Sequence, residues 1–231
     1  MPEEQITKLS LFGLTRQEAI IYITLLSNSY ITGYEISKLT GISKSNTYGT
    51  LTSLVTKGAA YVATEEATKY TAVGLEEFCN NRIRVMEGAK KELVADITYE
   101  DKGAEGYITI SGKTNISNKI HNMLLGAQQR VYLSINSELL LEYRKELQHL
   151  IEQGKKVVII TDGQCELAEV TIYNTGNFKD GIRIIVDSQE VLSGHQETNC
   201  VYSKNDNLIS IFKDMLTNEI ELIKIKENTK A

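Results

Sequence analysis

Residues 14–58, LTRQEAIIYITLLSNSYITGYEISKLTGISKSNTYGTLTSLVTKG, decide the fold of this chain. Thr15 stands three residues before Glu18, the spacing of a capping box, in which each side chain takes up the other residue's free backbone N–H at a helix start. Leu14, Ala19, Tyr22, Ile23 and Leu26 then recur at helical spacing. A second box, Thr32 with Glu35, opens a short helix with Ile36 and Leu39 expected on its inner side. Gly41 ends that helix, as a residue free to take positive φ does. Ser43 caps a third helix reaching Lys57, with Tyr48, Leu51, Leu54 and Val55 as its expected buried face, and Gly58 ends it.

Past Gly58 the period changes from helical to alternating. Ala60–Ala63 and Lys69–Ala72 flank a polar turn and read as a hairpin. Three helices and a hairpin, with two short helices joined through Thr40-Gly41-Ile42, describe a winged helix-turn-helix. A reading helix in this motif pushes its N-terminal end into the major groove and keeps its other face in the core. Its first turn here is Ser43, Lys44, Ser45, Asn46, Thr47, Tyr48, rich in hydrogen-bonding side chains that suit base edges and phosphates. Asn46 has the chemistry for a bidentate contact to adenine, and Lys44 can reach a guanine or a phosphate. Tyr48 is expected to place its ring in the core. Lys57 and Arg16, together with Lys69 in the hairpin, are expected at phosphates, which fix register without reading sequence.

Net charge does not settle the matter. The chain carries -5 overall with a pI near 5.4, which leans mildly away from nucleic acid. Between Gln5 and Thr64, however, five cations (Lys8, Arg16, Lys38, Lys44, Lys57) face two anions, Glu18 and Glu35. Local charge therefore favours DNA.

The segment LTRQEAIIYITLL…TGYEISKLTGISKSNTYGTLTSLVTKGAAYV…KYTAV resembles the winged-helix domain of TrmB-type transcriptional regulators. The likeness runs through Leu14-Thr15, Glu18-Ala19, Tyr22, Glu35-Ile36, Gly41-Ile42-Ser43, Tyr48, Leu51, Leu54, Gly58 and Tyr70. It implies a dimer whose helix after the glycine turn, Ser43–Tyr48 onward, enters the major groove. The hairpin departs from the family pattern: it has Glu65 and Glu66 where basic residues are usual, which implies a weak phosphate contact.

From Gly74 to about Ile97 a longer helix is expected, with Leu75, Cys79, Ile83, Met86, Leu93 and Ile97 along one stripe that Lys90 interrupts. It reads as a helix packed on its own chain or, more sharply, as a connecting helix that pairs with its twin. The segment 101–106, DKGAEG, is the best linker. Beyond it strands and helices alternate: strands at Tyr107–Ser111, Arg130–Asn136, Lys155–Thr161 and Ile182–Asp187, shorter ones at Glu190–Leu192 and Asn199–Tyr202, and helices at Lys113–Ala127, Ser137–Gln153 and Asn207–Asn218. Glu219–Ile225 reads as a final helix turn or an edge strand. The expected architecture is α+β overall: a winged helix-turn-helix over 1–73, a connecting helix over 74–100, and an α/β domain with a mixed sheet over 101–231.

The second half is also similar to half of the phospholipase D fold. Enzymes of that fold carry H-x-K-x4-D; here His195 is followed by Gln196 and Glu197, with no aspartate at the required spacing. The resemblance therefore implies no hydrolase. Polar residues at strand ends are the natural lining of an effector pocket in an α/β sheet. They are Ser134, Asn136, Thr161, Asp162, Arg183, Asp187 and His195. Some TrmB relatives sense sugars through an additional region that is not expected here.

Hydrophobic content of 42% and charged content of 24% are those of an ordinary globular chain. No apolar run reaches bilayer-spanning length, and MPEEQITKLS lacks a signal peptide's basic and apolar regions, so a cytoplasmic protein without membrane contact is expected. Cys79, Cys165 and Cys200 are far apart with no CxxC spacing, which points to free thiols and to neither metal nor cofactor. The leading expectation is a homodimeric regulator bound to double-stranded DNA, with a small-molecule effector possible. Two other readings stay open: a winged helix that binds protein, and a degenerate phospholipase D-like hydrolase.

Overall fold

The computed structural model describes residues 3–64, 67–98, 106–163, 167, 170–176 and 181–230. The chain divides into two compact units, Met1–Glu100 and Asp101–Ala231.

The first unit runs α1 (Glu3–Leu11), α2 (Arg16–Ser27), β1 (Ile31–Thr32), α3 (Gly33–Thr40), α4 (Lys44–Thr56), β2 (Ala60–Thr64), β3 (Thr68–Ala72) and α5 (Leu75–Asp96). Both capping boxes are formed, at Thr15/Glu18 and at Thr32/Glu35. Gly41 ends α3 at φ 71°, the left-handed conformation that a Cβ penalises. The hairpin β2–β3 gains β1 as a third antiparallel strand, with Ile31 opposite Tyr70. The core is built from Ala19, Tyr22, Leu25, Ile36, Leu51 and Leu54, all fully buried. Truncating Leu51 or Leu54 to Ala would cost about 2–5 kcal/mol in transfer and cavity terms.

Three residues expected in this core are not there. Leu26, Leu39 and Tyr48 are exposed, each lying just outside the arc that its helix turns inward. Helix α1, absent from the sequence reading, contributes Ile6 and Leu9 to the core. The connecting helix α5 is rooted in this unit. Phe78 is fully buried with its ring centroid 5.2 Å from that of Tyr22, and Arg82 Nε donates to the carbonyl of Phe12 at 3.0 Å. Tyr22 in turn donates its hydroxyl to the carbonyl of Val73 at 2.8 Å, and burial pushes its phenol up to about 12.

The second unit holds β4 (Ile108–Ser111), α6 (Lys113–Gly126), β5 (Arg130–Ser134), α7 (Ser137–Leu140), α8 (Arg144–Glu152), β6 (Lys156–Thr161), β7 (Thr171–Asn174), β8 (Ile182–Val186), β9 (Glu190–Gly194), β10 (Asn199–Ser203) and α9 (Asp206–Lys230). Its sheet is mixed, in the order β4-β10-β9-β8-β5-β6-β7, with β5, β6 and β7 mutually parallel and the remaining pairs antiparallel. Strand β7 was not read from the sequence. Helices α6, α7 and α8 cover one face over Val131, Leu133, Ile159 and Ile184. The other face carries Ile160, Ile185 and Val191 beneath α9. Residues 207–225, expected as a helix and then a turn or edge strand, are one continuous helix within α9. Cys79 and Cys200 are free thiols, half-buried and buried, and burial pushes Cys200 up to about 11. Cys165 and most of the expected linker 101–106 lie outside the described residues.

One carboxylate joins the elements of the first unit. Glu18 accepts from the Thr15 N–H at 2.6 Å, from Ser53 Oγ at 2.6 Å and from Lys57 Nζ at 2.7 Å. Burial alone would raise its pKa, but the donors from Lys57, Ser53 and Thr15 outweigh burial and hold the carboxyl at about 2. A carboxyl lowered on folding stabilises the fold above its unfolded value of about 4.3, and that contribution is lost as pH falls toward 2. The contribution is roughly 2–3 kcal/mol. Urea unfolding at a series of pH values checks this: the first unit's stability should fall between about pH 5 and pH 2, and Glu18→Gln should lower it at neutral pH and flatten that dependence. An unchanged pH slope in the variant would show that the carboxylate is not the group responsible.

Candidate nucleic-acid interface

The start of α4 is open to solvent. Ser43 Oγ caps it, accepting from the Asn46 N–H at 3.4 Å. Ser43, Lys44, Ser45 and Asn46 are exposed in succession. The next residue is not: Thr47 has no exposed surface, and its hydroxyl donates to the carbonyl of Ser43 at 3.0 Å. Thr47 therefore leaves the set of base-reading candidates, since it shares the inward phase of Leu51 and Leu54. Tyr48 takes the opposite part from the one expected. It is 46% exposed, and its ring lies so close over Gly33 that a Cβ there would stand 2.6 Å from Cε1. The open face of α4 thus continues past its first turn through Tyr48 to Thr52.

Beside it, on α3, the ring of Tyr34 meets two cations. Lys38 Nζ is 4.6 Å and Lys44 Nζ 4.4 Å from its ring centroid. An aromatic ring met by two ammonium groups holds positive charge over a patch that can meet phosphate or sugar. Tyr34 and Lys38 were not read from the sequence as site residues, although their i, i+4 spacing on one helix carries the signal.

The other cations expected at phosphates are engaged elsewhere. Arg16 makes a double contact with Glu3, and Lys57 is held by Glu18 and by the carbonyl of Gly13 at 2.8 Å. Lys8 pairs with Glu4 at 2.7 Å. Three of the five cations that made this region basic in sequence are therefore neutralised, two of them by acids just before Gln5. Lys69 sits on β3 opposite Thr32, where its charge helps lower Glu35 below the usual carboxylate range after the larger effect of the Thr32 backbone donor. Glu65 and Glu66 lie outside the described residues.

In the second unit the expected effector residues separate. Ser134 is fully buried on the α9 side of the sheet, where Arg183 donates to its Oγ at 3.0 Å and pairs with Glu219 of α9 at 3.0 Å. Both pin the helix to the sheet. Asp162 accepts from the Ser137 N–H at 2.8 Å and caps α7. Asp187, at a tight turn with φ 50°, accepts from the backbone of Gln128, Gln129 and Arg130 at 2.7–2.8 Å. Burial is the largest single effect and opposes them, but together with the Lys155 charge those donors hold its carboxyl below the usual range. Thr161 is fully buried. Asn136 and His195 meet on the wall of a cavity of about 600 Å³ shared with Lys113, Glu142, Gln196 and Glu197. Lys113 is paired with Glu197 at 2.6 Å, and Gln196, buried, donates to Glu142 at 3.0 Å. Among the described residues, no helix is long and apolar enough to cross a membrane by itself.

Two family models match the chain: sugar-specific transcriptional regulator TrmB over residues 9–76, and the EBD N-terminal subdomain of the transcriptional regulator TrmB over residues 106–220. The uncharacterized protein YrhO of Bacillus subtilis (strain 168) is 25% identical over 97% of this chain and 87% of its own length. The sugar-sensing transcriptional regulator TrmBL1 of Pyrococcus furiosus is 26% identical over 69% of this chain and 47% of its own, so the match spans about half of that protein. Among solved structures, TrmBL2, described as an archaeal chromatin protein with a novel mode of DNA binding, aligns over 94% of this chain and 96% of its own at 20% identity, with a TM-score of 0.44.

The contact of Tyr48 with Gly33 can be tested without touching a charged residue. In Gly33→Ala the new methyl displaces an exposed ring that is free to swing outward, so the unfolding midpoint should change little, by under about 1 kcal/mol. Duplex affinity should fall about threefold to tenfold, since the ring then leaves the open face of α4. Wild-type affinity in this variant would remove Tyr48 from the interface.

Proposed function

The chain belongs to the TrmB family of DNA-binding transcriptional regulators, and on that premise we propose that it acts in the cytoplasm as a sequence-specific homodimer whose α4 enters the major groove. The observation that carries this reading is the run of exposed side chains Ser43–Asn46 at the start of α4, with Lys38 and Lys44 at the Tyr34 ring. Asn46 reads a base edge; Lys44 and Lys38, with Ser43 and Ser45 beside them, hold phosphates. Lys69 is a further phosphate contact, set back by its proximity to Glu35.

Pairing through α5 supports the dimer. Past its rooted first turns, Ile83, Met86, Leu93 and Ile97 are all exposed along one side, an arrangement that suits a second copy better than water. Two reading helices related by a two-fold axis then address half-sites about 34–36 Å apart. An effector seated in the cavity of Asn136 and His195 would act on that spacing. The His195 turn belongs to a ligand cavity in this reading and has no hydrolytic role, because Glu197 occupies the expected lysine position and is itself neutralised by Lys113.

Salt dependence measures how many phosphates are held. With Lys38 and Lys44 of both protomers engaged, log affinity against log salt should fall with a slope of about -3 to -4, and Lys44→Ala should reduce that slope by about 2. Arg16→Ala should leave it unchanged, since Glu3 already neutralises Arg16. The double variant Lys44→Ala, Asn46→Ala should lose specific binding to DNA from upstream of the gene. Absence of wild-type binding to any duplex at low salt would instead favour a winged helix that docks on protein.

A further inference from the structure

Helix α9 carries two apolar stripes, and the sheet accounts for one. Ile209, Leu216 and Ile223 are buried against β6, β8 and β9. The second stripe is Leu208, Ile211, Met215, Asn218, Leu222 and Ile225, with spacings of 3, 4, 3, 4 and 3 residues. Ile211 is 60%, Leu222 58% and Ile225 61% exposed. Alternating spacings of three and four are those of a coiled-coil seam. The sheet already holds the inner face of α9, so the outer seam is preformed.

The residues of the seam select its occupant. Asn218 lies in the middle, where an apolar partner would strand its amide. Opposite its own copy across a two-fold axis, each amide donates to the other and both are satisfied. Charge selects the direction. In a parallel pair the position just before one seam residue faces the position five residues later on the other strand, which brings Glu221 to Lys226 of the second copy. In an antiparallel pair centred on Asn218, Glu221 would instead approach Asp214, a like charge. The remaining parallel pair, Asp214 with Glu219, is relieved because Glu219 is already held by Arg183 at 3.0 Å.

We propose that α9 is a second self-association surface, pairing with α9 of another copy as a parallel, in-register coiled coil. It deepens the homodimer reading by giving the C-terminal unit its own contact, separate from α5.

The test reads the α9 contact itself. Leu222→Cys is made in the full chain with Cys79 and Cys165 changed to Ser, and is oxidised and run without reductant. A parallel seam should convert most of the 25.8 kDa chain into a cross-linked pair, since facing seam positions lie within disulfide reach. Thr217→Cys, exposed on another side of α9, should stay uncross-linked. Adding Lys226→Glu should cut the Leu222→Cys yield severalfold, and adding Glu221→Lys as well should restore it. Leu222 is exposed within the single chain, so each variant should keep the wild-type circular-dichroism spectrum under reducing conditions, which verifies that it folds. A chain that sediments as a dimer but gives no more cross-link at 222 than at 217 overturns the α9 seam and leaves pairing through α5 standing. Failure of the double charge reversal to rescue overturns the parallel register. A monomer at every concentration overturns both contacts, while DNA binding through α4 is judged separately by the Lys44 and Asn46 variants.

Discussion

The face that α4 presents is set by the carboxylate of Glu18. A capping glutamate usually completes its work at its own helix start. This one also binds Ser53 in the last turns of α4 and Lys57 just beyond its end, at 2.6 and 2.7 Å. Those contacts fix the C-terminal end of α4 against the start of α2, while Leu51 and Leu54 fix its inner side. With its far end and one side held, α4 can present only its N-terminal turn and the strip through Tyr48. A nearly fully buried carboxylate satisfied by three donors is costly to disturb, so the orientation of the reading helix rests on polar geometry as much as on packing.

The same interaction explains why the interface has less charge than the sequence promises. Lys57 serves the fold, Arg16 serves α1, and the cations left at the surface gather around one tyrosine. Much of the unit was legible because its signals are local. Capping boxes, a left-handed glycine and an alternating hairpin each lie within a few residues, and all formed where expected. Ion pairs are different: Glu18 and Lys57 are 39 residues apart and Arg16 and Glu3 13 apart, and no periodicity links them. Thr47 was legible but misread. It stands four before Leu51 and seven before Leu54, the inward phase of the helix, while Tyr48 is one step out of that phase.

The second unit shows the same division. Strands β6 and β8 are dense in apolar β-branched residues and β5 has three apolar residues in a row, so they stand out; β7, only TIYN, has polar ends and does not. Ser134 and Arg183 looked like pocket residues because they sit near strand ends. Alternation along β5 and β8, however, places them with Tyr132 and Ile185 on the face that α9 covers. Only the first half of α9 is legible in the sequence because its two apolar stripes overlap, so neither stands alone as the single stripe of a surface helix. The feature that obscured the helix is the one that suits it to contacts on two sides.

Both long helices combine an anchored face with an exposed stripe, and the anchoring decides what each can transmit. The root of α5 is Phe78 against Tyr22 and Arg82 on the Phe12 carbonyl, both within the core that also holds α4. No flexible joint separates α5 from that core: its cap, Gly74, follows directly on Val73, whose carbonyl binds Tyr22 and whose N–H donates to Ala59 at 2.9 Å. A rotation of α5 about its axis must therefore carry the reading helix with it or break buried contacts. In the proposed dimer, the pairing of two α5 stripes and the separation of two α4 helices are then one variable. Whatever shifts the stripe by a fraction of a turn changes the match to half-sites, without any rearrangement inside the winged helix.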